Sequence, residues 1–272
     1  MLRNSKNTPL IQKKKLCDRL ELPNLWIKDE SKNSFGTYKD RRSRFIIKEA
    51  ITHKVKKLVL ITSGNAGYSL AKFAKNNNIQ VTCVVGKNCK KSIKDNLRKD
   101  SKVIEVDLYQ KRLQSKEILT LAYPSYKETI WDVTNGFEEA YETIIKEIKQ
   151  EKPDFIIVPV GSGEAFVGLY QGIKKAKLKI KIIGVRPQKK QDSFADKLCT
   201  LWTPYETKIR AIQKEGHRII ELKEELIKKL YTKYKSQLKL EPSASIVFGA
   251  FEKLKFKKED KIILINSGKG LL

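Results

Sequence analysis

The chain has 272 residues and is 40% hydrophobic, enough for one large domain or two packed ones, which excludes a wholly disordered or collagen-like chain. It carries 57 Lys and Arg against 31 Asp and Glu, a net charge of +26. Only ten of the basic residues are arginine and the lysines run along almost the whole length, which reads as a solvated surface; a nucleic-acid site would gather its cations on one face and favour arginine.

In chain order, helical periodicity begins over Lys39–His53, and a β-branched run over Leu58–Thr62 predicts a buried strand. A helix over Ala66–Asn76 and a strand over Val81–Val85 follow. The polar stretch Lys87–Lys102 predicts a connection with a surface helix, and Val103–Val106 the next strand. Beyond it come a helix over Phe137–Gln150, a strand over Phe155–Val160, a helix over Ala165–Ala176 and a strand over Ile180–Val185. Helices over Lys223–Tyr234 and Ser243–Leu254 precede a last strand over Ile262–Ile265. Strand and helix in alternation predict an α/β fold with parallel sheets, because a parallel neighbour needs a crossover.

Three turns stand where a strand ends. Thr62-Ser63-Gly64-Asn65-Ala66-Gly67 lies between an apolar run and a helix, so its small residues can expose main-chain N–H groups at a positive helix end. Gly161-Ser162-Gly163-Glu164-Ala165 has the same setting and reads as a phosphate cradle, although Glu164 is an uncomfortable neighbour for an anion. It is no dinucleotide fingerprint, since position 166 is Phe166 and Val185-Arg186 stands where an acid is needed. It is no Walker loop either, because Leu169-Tyr170 replaces Lys-Ser/Thr. Asn266-Ser267-Gly268-Lys269-Gly270 closes the last strand on the edge where open α/β sheets bind ligands.

Together with Lys28-Asp29-Glu30-Ser31-Lys32-Asn33-Ser34-Phe35-Gly36-Thr37-Tyr38-Lys39-Asp40-Arg41, these turns resemble the pyridoxal-phosphate enzymes of the tryptophan-synthase-β fold type, which include threonine synthases, cysteine synthases and serine/threonine dehydratases. Asn7-Thr8-Pro9-Leu10, Ile183-Gly184-Val185 and Glu241-Pro242-Ser243 extend the match in order, while Ser34 and Phe35 depart from the family's usual Pro-Thr. The resemblance implies two intertwined doubly wound domains with mainly parallel sheets and a pyridoxal 5'-phosphate site in the cleft between them. Residues 1–36 and 141–272 would form the larger, cofactor-phosphate-binding domain, and 37–140 the smaller one.

Lys39 falls where the family carries its Schiff-base lysine, and would be the catalytic base. Asn65 is expected to hold the cofactor's ring oxygen, while main-chain groups of Thr62, Ser63, Gly64, Asn65 and Ala66 receive the substrate carboxylate. Gly161, Ser162, Gly163, Glu164 and Ala165 would cradle the cofactor phosphate, and Ser267 would face the pyridine nitrogen. A neutral hydroxyl there favours β-elimination and β-replacement over transamination. Subfamily signals conflict: the first and last turns look like threonine synthases, and Tyr141-Glu142-Thr143 like cysteine synthases. Glu138, Glu139 and Glu142 stand where the phosphate-recognising subfamily carries cations, which predicts repulsion of a phosphorylated substrate.

The function expected is therefore threonine-synthase-like elimination or replacement on a small amino acid, with cysteine-synthase-like or dehydratase activity as alternatives. From a different class, a nucleic-acid-binding or non-catalytic protein retaining the fold rests on the charge alone. Cys17, Cys83, Cys89 and Cys199 form no CxxC pair, and with His53 and His217 give no metal-like spacing, so neither a metal nor a disulfide is expected. Lacking an apolar leader or a run long enough to span a bilayer, the chain reads as cytoplasmic and membrane-free, and a homodimer is expected.

Overall fold

The computed structural model describes residues 7–108, 110, 112–125, 129–189, 191–200 and 203–270. In chain order the first elements are β1 (Leu10–Ile11), α1 (Lys14–Leu20), β2 (Leu25–Asp29), α2 (Lys39–Thr52), β3 (Lys57–Ile61) and α3 (Asn65–Lys75). Next come β4 (Gln80–Gly86), α4 (Lys91–Arg98), β5 (Lys102–Val106), α5 (Ser115–Ala122) and β6 (Ile130–Asp132). The remainder holds α6 (Glu142–Ile148), β7 (Phe155–Pro159), α7 (Glu164–Lys175), β8 (Lys181–Pro187), α8 (Glu206–Lys214) and β9 (Arg218–Leu222). Then follow α9 (Glu224–Tyr234), α10 (Pro242–Ser245), α11 (Gly249–Lys253) and β10 (Ile262–Asn266).

These elements divide into two units, one made of the residues up to Tyr38 with Glu138–Gly270, the other of Lys39–Phe137. In the first, the described residues form a six-stranded sheet in the order β1-β2-β10-β7-β8-β9. Every pair is parallel except β1 with β2. Alternate residues feed opposite faces: Ile27, Ile157, Ile183, Ile262 and Leu264 pack into one core, and Ile156, Val158, Ile182, Ile263 and Ile265 into the other. A strand buried on both sides needs unbroken apolar sequence, which is why FIIVP and IILI carry no alternation. Each such side chain taken fully out of water stabilises the fold by about 1.5–3 kcal/mol.

The second unit holds a four-stranded parallel sheet, β5-β4-β3-β6. Val59 and Val84 pack with Ile118 and Ile130 on one face, while Leu58, Leu60 and Cys83 are fully buried from the other. Among the described residues no helix is long and apolar enough to cross a membrane, and no disulfide links the four cysteines.

Two expected helices are interrupted. Over Phe137–Gln150 the α-helix is only α6, flanked by 3-10 turns at Glu138–Tyr141 and Lys149–Glu151. The first of these turns presses its backbone onto α7, where a Cβ added at Gly168 would lie 2.0 Å from the Glu138 carbonyl oxygen. Over Ser243–Leu254, α10 and α11 are separated by a 3-10 turn at Ile246–Phe248. Those three consecutive residues are all fully buried, a demand that a one-sided α-helix cannot meet.

Candidate active site

The site residues expected in the first unit lie at the carboxyl ends of two adjacent strands, β7 and β10. β7 runs into Gly161-Ser162-Gly163, and α7 begins at Glu164. Gly163 adopts φ 95° and offers no side-chain cap, and Ser162 Oγ accepts the Glu164 N–H at 3.5 Å, so the start of a twelve-residue helix carries the positive end of its dipole into this turn. The glycines also admit close neighbours. An added Cβ at Gly163 would stand 2.6 Å from Ile209 Cδ1, and one at Gly161 3.3 Å from Leu198 Cα. Thr203 fastens the loop by donating its hydroxyl to the Ser162 carbonyl, a contact no sequence motif announces.

Ser267, 3% exposed, follows β10 directly. The segment before Lys39 is pinned to it: Tyr38 N–H donates to the Ser267 carbonyl at 2.9 Å, the Thr37 hydroxyl to the same oxygen at 3.3 Å, and Lys269 N–H to the Gly36 carbonyl at 3.2 Å. Gly36 holds φ 79°, and a Cβ there would meet Lys269 Cε at 2.6 Å. The glycine in F-G-T-Y-K is thus favoured by its dihedral, while the exposed Lys269 side chain can swing aside. Tyr38 is buried, and its phenol is driven well above the usual tyrosine range by desolvation first, then by the carboxylates of Glu241 and Glu164. Its ring centroid lies 5.4 Å from that of Tyr141. Glu164 is 2% exposed and Glu241 7% exposed, so two acids are buried near a phenol beside the expected phosphate cradle. No sequence signal marks Tyr38 or Glu241 for this cluster, since electrostatics assembled from three distant segments leave no local pattern.

The second unit carries the other expected residues. Lys39, half-buried, is the first residue of α2. Asp40 beside it is fully buried and accepts the Ser69 hydroxyl of α3 at 2.6 Å, tying the two helix starts together. In the turn after β3, the Thr62 hydroxyl oxygen accepts the N–H groups of Gly64 and Gly67, both at 3.1 Å. Thr62 N–H itself goes to the Val84 carbonyl at 2.9 Å. The N–H groups of Thr62 and Gly64 are thus bonded inside the unit, and the Thr62 side chain builds the turn that carries Ser63, Gly64, Asn65 and Ala66. Gly64, at φ 139°, precedes α3 and offers no cap of its own, so the Thr62 hydroxyl caps the first turn through Gly67, and Asn65 is 7% exposed. A Cβ at Gly67 would lie 2.6 Å from Thr62 Cγ2.

The three glutamates expected to repel a phosphate are accounted for differently. Glu138 accepts from Tyr205 Oη at 2.8 Å and Lys208 Nζ at 2.6 Å. Burial works to raise its pKa, yet hydrogen bonds led by that of Lys208 prevail and hold it below the ordinary value. Glu142 is 3% exposed and takes both oxygens to Lys175 Nζ, at 2.7 and 2.9 Å. Only Glu139 of the three is exposed. Two of the three charges are thus matched by lysines of the same unit, and repulsion of a phosphate no longer follows from them. Among the described residues no group of three or more His, Cys, Asp or Glu is placed to hold a metal ion.

Parallel sheets whose strand ends run through glycine-containing turns into helix N-termini define an α/β fold suited to small anionic ligands. The sequence matches the family described as pyridoxal-phosphate dependent enzyme over residues 2–268, and the chain belongs to that family. Solved structures of similar fold include a pyridoxal 5'-phosphate-dependent aspartate racemase, with 20% identity and TM-score 0.80 over 98% of this chain and 91% of that one. A threonine deaminase isoform 2 from Solanum lycopersicum aligns at 19% identity and TM-score 0.76, over 98% of this chain and 84% of that one. An O-acetylserine dependent cystathionine β-synthase from Helicobacter pylori aligns at 18% identity and TM-score 0.78, over 98% and 96%. The cofactor is pyridoxal phosphate, and the fold is that of the tryptophan-synthase-β type. The glycine-lined start of α7, with the positive end of the helix dipole at Gly161-Ser162-Gly163, fits a phosphate group.

Proposed function

We propose that this enzyme catalyses β-elimination or β-replacement on a small amino acid, and that its sequence places it nearest the threonine synthases. The observation that carries the reading is Ser267, a buried neutral hydroxyl at the end of β10. By the resemblance it meets the cofactor's ring nitrogen and leaves the ring less electron-withdrawing than an aspartate would. When bound, pyridoxal phosphate supplies the electron sink that acidifies the substrate Cα–H. Lys39 would take that proton, Asn65 would orient the ring oxygen, and main-chain groups of the turn Thr62, Ser63, Gly64, Asn65 and Ala66 would receive the substrate carboxylate. Residues 161–165 would hold the phosphate.

Cysteine-synthase-like replacement on O-acetylserine or serine, and serine/threonine dehydration, share this machinery. They draw support from similar structures described as threonine deaminase, L-serine ammonia-lyase and O-acetylserine dependent cystathionine β-synthase. We place the enzyme in the cytoplasm as a homodimer that binds no nucleic acid.

The test is borohydride reduction of the chain loaded with pyridoxal phosphate, followed by peptide mapping and a screen of serine, threonine, O-acetylserine and O-phosphohomoserine. The cofactor is expected on the peptide containing Lys39, and Lys39→Ala is expected to abolish turnover while the unfolding temperature holds. Fixation on a different lysine overturns the assignment.

A further inference from the structure

Asn266, the last residue of β10, is paired in parallel register with Asp29, the last residue of β2. Their side chains are joined, with Asn266 Nδ2 donating to Asp29 Oδ1 at 2.8 Å. The same oxygen takes the Ser31 hydroxyl at 2.5 Å and the Ser31 N–H at 3.2 Å. The other end of the amide is also engaged: Asn266 Oδ1 accepts the N–H of Gly268 at 3.3 Å, closing an Asx-type turn around Ser267. Asp29, Asn266 and Ser267 are 6%, 1% and 3% exposed, so water does not substitute for these partners.

A carboxylate accepts and never donates, so only the NH2 end of Asn266 can face Asp29. The amide oxygen is thereby forced toward Gly268, where the N–H needs an acceptor. Turned over, the amide would set oxygen against carboxylate and NH2 against N–H, losing both bonds and adding a repulsion.

We infer that Asp29, acting through Asn266, is the positioning residue that fixes the turn presenting the Ser267 hydroxyl. This rests on the reading of Ser267 as the partner of the cofactor's ring nitrogen. Neither Asp29 nor Asn266 touches the cofactor in that reading; one sets the amide's orientation and the other transmits it to the turn.

The experiment uses the full chain, with and without added pyridoxal phosphate, as wild type, Asp29→Ala, Asn266→Ala and the double swap Asp29→Asn with Asn266→Asp. In the swap, the amide introduced at position 29 donates toward strand β10 and gives up the Ser31 N–H bond. The carboxylate introduced at position 266 accepts both that amide and Gly268 N–H, so exchange at Gly268 isolates the bond between the two strands. The readouts are amide hydrogen exchange of the segment 266–270, the pH dependence of the bound cofactor's absorbance, and the unfolding temperature. Asp29→Ala is expected to speed exchange at Gly268 roughly tenfold or more and to displace the absorbance profile, with the swap returning both toward wild type. Unchanged exchange in a folded Asp29→Ala chain, or a swap no better than the single variants, overturns the inference. Should Asp29→Ala fail to fold, Asn266→Ala and the swap decide it by the same exchange measurement. A wild-type chain that takes up no pyridoxal phosphate sinks the proposed function instead, and the exchange result without cofactor still judges Asp29.

Discussion

Gly163→Ala perturbs the phosphate cradle at one atom, and its cost can be built from two separate terms. Gly163 holds φ 95°, where an alanine pays the left-handed penalty of about 1–2 kcal/mol. Its Cβ would stand 2.6 Å from Ile209 Cδ1 and 3.1 Å from Tyr205 Cβ. Both side chains are buried, at 0% and 4% exposure, so neither can swing into solvent, and overpacking of this kind adds about 1–3 kcal/mol. The whole cost is therefore about 2–5 kcal/mol. Gly136 supplies the control: it holds φ 93° with nothing within 4 Å of an added Cβ, so Gly136→Ala carries the backbone term alone, about 1–2 kcal/mol. Urea unfolding of both variants, each followed by hydrogen exchange in its own unit, measures the two costs. A titration with pyridoxal phosphate should then show weaker binding for Gly163→Ala and wild-type binding for Gly136→Ala. Equal costs for the two substitutions, or undiminished cofactor affinity in Gly163→Ala, would refute the claim that the loop's close approach needs glycine.

Gly168→Ala should be costlier still, about 3 kcal/mol or more, because its Cβ would fall 2.0 Å from a backbone oxygen that no rotamer change can move; a urea midpoint shift worth less than about 1 kcal/mol would mean that α7 and the turn before α6 part easily. Glu142→Lys should lower the unfolding midpoint more than Lys175→Ala does, since it buries a cation beside the exposed Lys175 ammonium, and the reverse order in thermal unfolding would show that Glu142 lies elsewhere. His217 has its pKa lowered, by burial first and then by Lys181, while its Nδ1 accepts the Ile182 N–H at 3.0 Å. The unfolded chain then binds the proton more readily than the folded one, so His217 contributes stability that is complete above the ordinary histidine value near 6.5 and lost as pH falls below it. His217→Asn should flatten that acid-side slope in urea unfolding measured from about pH 7.5 to 5, across the histidine range, and an unchanged slope would remove histidine from the account.

The strands legible in the sequence are those built around a short apolar, β-branched run: β3, β4, β5, β7, β8 and β10, of which β7 and β10, covered on both faces, carry the longest unbroken apolar stretches. β2 escaped that criterion although it is as buried as most of them. It carries Lys28, 1% exposed, whose ammonium is held by the Thr8 carbonyl at 2.6 Å and by Glu147, and Asp29, held by Ser31 and Asn266. A charge inside a strand reads as solvent-facing until the partner is known, and Glu147 lies 119 residues away. β9 escaped for the opposite reason, since an edge strand needs little apolar sequence, and Arg218 and Glu221 are exposed. The same logic divides the site. Its turns are legible because glycine and small residues between a strand and a helix have few other uses. Its electrostatics are not, because a carboxylate's effect depends on which cation finds it. Glu138 and Glu142 look like a local block of negative charge, yet Lys208 and Lys175, 70 and 33 residues further on, hold them in pairs. Substrate charge therefore cannot be inferred from that segment alone. It must be sought where buried acids lie beside the site's own turns, at Glu164 and Glu241 around Tyr38.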